Sequence, residues 1–99
     1  MVCDPTPSRA MLPHPLDLHI PGPLEFSRAR SRADQAAREI LPEPVLLAWF
    51  NRDNREFSPR IVCCQEDQPS WLVYAKSRGA ELSLCLNDGQ FIFVYRRGF

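Results

Sequence analysis

Apolar and polar residues alternate along this chain in two rhythms, one with a period of two and one of three to four. The two-residue rhythm is clearest in residues 81–97, ELSLCLNDGQFIFVYRR. There β-favouring residues flank Asn87-Asp88-Gly89 and predict a hairpin. Gly89 supplies the positive φ that a tight turn requires, and Asn87 and Asp88 tolerate turn geometry. The length of the turn sets which side chains share a face. With a two-residue turn at Asp88-Gly89, Leu82, Leu84 and Leu86 pair with Tyr95, Phe93 and Phe91. A three-residue turn with a bulge pairs the same leucines with Val94, Ile92 and Gln90, and sends the aromatic residues to the opposite face.

The helical rhythm appears in residues 25–41, where Ala29, Ala33, Ala36, Ala37 and Ile40 fall on one face. Ser27 is placed to cap this helix, and Ser31 with Asp34 resembles a capping box one turn later. Pro42 and Pro44 end it. Residues 44–50, PVLLAWF, are short and apolar throughout, the pattern of a strand buried on both sides. Val45, Leu47 and Trp49 then line one face, and Leu46, Ala48 and Phe50 the other. A polar loop at 51–55 leads to a second strand at 57–64, where Pro59 marks an edge or a bulge. Residues 70–78 fit both periods. Pro69 before and Gly79 after frame a helix, with Asp67 or Ser70 as its cap.

Residues 1–23 hold six of the ten prolines. They predict an extended or disordered arm whose Leu16, Leu18 and Ile20 lie against the domain. Residues 24–99 then form a single α+β domain in the order α-β-β-α-β-β. Its natural arrangement is a four-stranded antiparallel sheet with two helices on one face. That arrangement leaves the other face open, although residues 45–50 and 91–95 are apolar on both sides. Trp49, Phe91, Phe93 and Tyr95 are therefore the candidate binding residues. Two coverings suit such a face: a second copy of the chain, giving a homodimer, or the arm with a ligand beneath it.

Charge and composition narrow the partners. Twelve basic and twelve acidic residues cancel, so no net field draws in nucleic acid or a membrane. No apolar run reaches the roughly 20 residues that span a bilayer. No export signal is recognisable, which points to the cytoplasm and to free thiols. Cys3, Cys63, Cys64 and Cys85 lack metal-binding spacing and read as packing residues. A thiol or redox site formed by Cys63, Cys64 or Cys85, activated by Arg60 or Arg96, is the enzymatic alternative. His14, Asp17 and His19 sit on the proline-rich arm, too loosely held to predict a metal site, and no cofactor motif is present. Arg28, Arg30, Arg32 and Arg38 make one helix basic, with Arg96 and Arg97 at the far end of the chain. The offsetting acids favour solvated surface over nucleic-acid binding.

The segments PEPVLLAWFNR (42–52), FSP (57–59), CC (63–64), W..YA.SRGA.L and NDG.F.F.YR (71–97) resemble a small family of uncharacterised bacterial and archaeal proteins of about this size. The resemblance implies a standalone domain with no assigned activity and carries over no catalytic residue. The reading of the residues themselves is a non-catalytic binding module that homodimerises through its open sheet face.

Overall fold

The computed structural model describes residues 5–60 and 68–98. A single 3-10 turn (Arg9–Met11) precedes β1 (Pro15–Leu18), α1 (Phe26–Ile40), β2 (Val45–Asn51) and β3 (Glu56–Ser58). Then come α2 (Ser70–Ser77), β4 (Leu82–Leu86) and β5 (Phe91–Arg96). The fold is α+β with a five-stranded mixed sheet in the order β1-β4-β5-β2-β3. Strand β1 runs parallel to β4, and the other pairs are antiparallel. No helix among the described residues is long and apolar enough to cross a membrane.

The expected sheet of four antiparallel strands is thus corrected by the arm, which contributes the fifth. Leu16 and Leu18 of β1 register with Leu84 and Leu86 of β4. Prolines do not obstruct this, because Pro15 opens the strand and the strand is an edge, where a missing donor costs no ladder bond. The Asn87 side chain fastens the arm beyond β1. Its Oδ1 accepts from the Ile20 backbone N–H at 2.8 Å, and its Nδ2 donates to the Ile20 carbonyl at 3.1 Å. On the far side, the Trp71 indole donates to the Pro5 carbonyl at 2.9 Å.

The second correction concerns the helices, which lie on opposite faces of the sheet. One apolar cluster joins Ala29, Ala33 and Ala37 of α1 to Leu82, Leu84, Leu86, Phe91, Phe93 and Tyr95. The other joins Trp71, Leu72 and Ala75 of α2 to Ala48, Phe50, Cys85, Ile92 and Val94. The physical reason is that every residue from Leu82 to Leu86 and from Phe91 to Tyr95 is buried. Strands apolar on both sides need a covering on both sides, and two helices on one face cannot supply it. No bare sheet face remains over β4 and β5, which removes the ground on which face-to-face dimerisation was expected.

The turn is the two-residue one. Asp88 and Gly89 have φ of 59° and 88°, and the Gln90 N–H donates to the Asn87 carbonyl at 3.3 Å. Both central residues are left-handed, the geometry whose twist matches flanking strands. Leu82, Leu84 and Leu86 pair with Tyr95, Phe93 and Phe91, and these side chains pack beneath α1.

Local details differ from expectation in instructive ways. In β2 the register shifts between Leu46 and Ala48. Leu46 and Trp49 therefore pack toward α1, while Leu47, Ala48 and Phe50 join the α2 side, so strict alternation fails by one residue. Strand β3 stops at Ser58 before Pro59, and residues 61–64 of the expected strand lie outside the described residues. Helix α1 is capped at the Glu25 position with no side-chain bond, so neither Ser27 nor Ser31 acts as a cap. Ser27 Oγ instead donates to Glu25 Oε1 at 3.2 Å. Pro69 occupies the cap position of α2 in place of Ser70, and Asp67 lies outside the described residues. The other end of α2 follows the glycine rule. Gly79 has φ of 85°, its N–H donates to the Lys76 carbonyl, and the Ala80 N–H donates to that of Ala75.

Candidate functional site

The four aromatic residues singled out from sequence are brought together, but inside the molecule. Phe91, Phe93 and Tyr95 are buried and Trp49 is half-buried. Phe26 of α1 packs on Trp49 at 4.5 Å and on Phe93 at 5.7 Å between ring centroids. These rings form core contacts of the kind aromatic strands usually make, and Phe91, Phe93 and Tyr95 present no platform to a partner. Tyr95 also has a polar role, since its hydroxyl donates to Asp34 Oδ1 of α1 at 2.6 Å. Burial first, and then the Asp34 carboxylate, push the Tyr95 phenol well above its ordinary range.

Of the thiol candidates, Cys63 and Cys64 lie outside the described residues. Cys85 faces the α2 side and is 5% exposed. Burial pushes its thiol up, and Asp17 adds to the shift while Arg9 opposes it. A nucleophilic cysteine needs the reverse shift, so Cys85 is held as a neutral thiol.

The helix arginines are exposed, and of the four only Arg30 and Arg38 line one depression, with Asp34 between them in sequence. Arg28 donates to the Pro23 carbonyl at 3.0 Å, tying the start of α1 to the arm. Arg30 lies 3.8 Å from Asp34, and Arg32 and Arg38 are exposed. The 51–56 loop braces the hairpin. Arg52 donates from its backbone to Gln90 and from its guanidinium to the Asp88 carbonyl at 2.9 Å, while Gln90 Nε2 donates to Asp53 at 2.7 Å. His14 and His19 are exposed on the arm, and among the described residues no three His, Cys, Asp or Glu side chains gather as a metal site would need.

One concave surface of about 550 Å³ lies along α1, lined by Phe26, Arg30, Asp34 and Arg38, and two others involve the arm. On the α1 side, a depression of about 570 Å³ lies between β1, the end of α1 and the start of β4. Leu16 and Ile40, 43% and 49% exposed, both line it, with Leu41 and Leu82 deeper. Its rim is polar: His14, and Glu81 paired with Arg97 at 2.9 Å. Ile40 was expected beneath the helix, but it falls in the last turn, beyond the strands that bury Ala29, Ala33 and Ala37.

On the α2 side, a cavity of about 410 Å³ lies between the arm and the β4–β5 hairpin. Cys85 and Ile92 form its floor, and Pro7, Arg9 and Leu12 of the arm its roof. Arg9 pairs with Asp17 at 2.6 Å and also donates to the Pro15 carbonyl at 3.2 Å. Sequence reasoning placed Leu16 against the domain and weighed Asp17 only as a metal ligand, and it assigned Arg9 no site role. The available signal was the spacing of Leu16, Leu18 and Ile20, a strand rhythm masked by the prolines around it.

Comparison with known proteins agrees with this picture of a small α+β domain. A family model described as Domain of unknown function (DUF5619) matches residues 14–95. The chain is similar in structure to a novel protein of Archeoglobus fulgidus DSM 4304, with a TM-score of 0.76 and 25% sequence identity. That similarity covers 89% of this chain and 98% of the other. No curated protein matches the chain.

Proposed function

The chain belongs to the DUF5619 family, whose function is unknown, and on that premise we propose that it is a non-catalytic binding module acting as a homodimer. The observation that carries this reading is the shared placement of Leu16 and Ile40. Among the described residues they are the two most exposed of the large apolar side chains, and they line one depression. An apolar centre ringed by polar groups is the anatomy of a protein interface. The dimer surface we propose is therefore this depression at the β1 edge, in place of the sheet face covered by α2.

A second copy suits the rim. A two-fold axis brings the same patch to itself, and the rim carries both an acid and a base, Glu81 and Arg97. Two copies can exchange these partners across the axis without bringing like charges together. The zero net charge of the chain places no long-range repulsion in the way.

Sedimentation velocity at micromolar concentration tests the reading. A concentration-dependent dimer is expected, and Ile40→Glu shifts it to monomer while leaving the far-UV circular dichroism unchanged. A wild-type chain that sediments as a monomer throughout the range overturns it, as does a dimer indifferent to Ile40→Glu and Leu16→Glu.

A further inference from the structure

The cavity on the α2 side has a composition that no packing requirement explains. Its interior is apolar, with Ile92 and Cys85, the latter 5% exposed, in the floor and Leu12 in the roof. Its mouth is charged on two sides. At one side Arg9 and Asp17 neutralise each other, and the second guanidinium nitrogen of Arg9 is occupied by the Pro15 carbonyl. At the other side stands Asp88, at the tip of the turn with Gly89. Arg52 reaches this turn from behind, but it contacts the Asp88 carbonyl, not the carboxylate, and does not line the cavity. The Asp88 carboxylate has no ion-pair partner among the described residues.

We propose that this cavity binds a small organic cation: an ammonium or guanidinium head on a short apolar body. A ligand pocket is characteristically apolar with a few charged groups that orient the ligand. Here the body lies on Ile92, Leu12 and the Cys85 thiol, and the head lies at the mouth against Asp88 and Asp17. The lining itself holds two carboxylates, Asp17 and Asp88, against one guanidinium, Arg9. The floor experiences the negative sign, because the influence of Asp17 on the Cys85 thiol outweighs that of Arg9. A neutral thiol suits an apolar body, since a thiolate would demand hydration that the floor does not provide. The roof belongs to the arm, and β1 and the Asn87 bonds hold it down. Docking of the arm and formation of the site are therefore one event.

The proposal is independent of the dimer, which uses the opposite side of the sheet. Its test is a titration of the full chain by two-dimensional amide NMR with three probes that share a phenethyl body: phenethylamine, 2-phenylethanol and 3-phenylpropionate. The amine is expected to shift the amides of Asp17, Cys85, Asp88, Gly89 and Ile92 saturably, and to bind more tightly than the alcohol or the acid. Asp88→Asn keeps the turn, because asparagine accepts the φ of 59° at this position. It should weaken the amine about three- to fivefold, the scale of an exposed charge pair, and leave the alcohol unchanged. Arg9→Gln should strengthen the amine by releasing Asp17. No saturable shift with the amine, equal binding of the alcohol, or preference for the acid overturns the proposal. So does an Arg9→Gln chain that binds the amine more weakly.

Discussion

Tyr95 does two jobs at one position. Its ring belongs to the core under α1, and its hydroxyl reaches Asp34 at the helix surface. Replacing it with phenylalanine keeps the ring and removes the bond, which should cost about 1 kcal/mol at neutral pH. The phenol is raised by burial and by Asp34, so its neutral form is the one the fold favours. A raised value contributes stability that is whole below the ordinary tyrosine pKa of about 10 and is lost as pH climbs above it. Urea unfolding at about pH 9 and about pH 11.5 should show the wild type losing more stability across that interval than Tyr95→Phe. Parallel losses in the two proteins would mean that Tyr95 ionises freely in the folded state. Nothing in the sequence announced the Asp34 bond, since 61 positions separate the two residues. Tyr95 as a buried aromatic on a strand was legible, but its partner was not.

Among the elements, β1 most changes the picture that periodicity draws. Six of the chain's ten prolines precede residue 24, and propensity alone assigns such a segment to no sheet. What recruits it is the free edge of β4, together with leucines at alternate positions. The clamp by Asn87 supplies the remaining specificity. This residue has φ of 49° and bonds both backbone groups of Ile20. Asn87→Gly separates its two roles, because glycine accepts the left-handed backbone but cannot make the clamp. We expect a loss of about 1–2 kcal/mol and faster amide exchange at Leu18 and Ile20, with the β4–β5 amides keeping their protection. Uniform loss of protection through the hairpin would show that the turn, not the arm, was damaged. The hairpin itself was legible, because turn chemistry is local, but the sequence allowed a two- or a three-residue turn and only the structure chose the first.

At the scale of the whole molecule, the sheet divides the apolar side chains into two clusters that share β4 and β5. Phe91, Phe93 and Tyr95 face α1, while Ile92 and Val94 face α2. Neither cluster can open without stripping the same two strands, so the domain should unfold as one cooperative unit. The two tryptophans are well placed to check this, since Trp49 lies on the α1 side and Trp71 on the α2 side. Urea transitions followed through each, using Trp49→Phe to isolate Trp71 and the intact chain for the sum, should each coincide with the far-UV circular dichroism of the same protein. A Trp71 signal that melts before the backbone would mean that α2 and the arm form a separate, weaker layer.

What the sequence determined by itself was local. It specified α1 from its alanine stripe, α2 between Pro69 and Gly79, and a hairpin turning within Asn87-Asp88-Gly89. Each depends on neighbours within a few positions. It also showed that β2 and β5 are apolar on both faces, which should have demanded a layer on each side. The tertiary structure decided where those layers came from. Helix α2 crosses to the face opposite α1, and the arm completes the sheet edge and roofs the cavity over Cys85. The bulge in β2 turns Trp49 toward Phe26. These outcomes depend on which surfaces meet across large separations in sequence, as with Pro5 against Trp71 and Ile20 against Asn87. The energy of such contacts comes from burial and from pairing polar groups that water can no longer reach, and neither quantity exists until the chain has closed on itself.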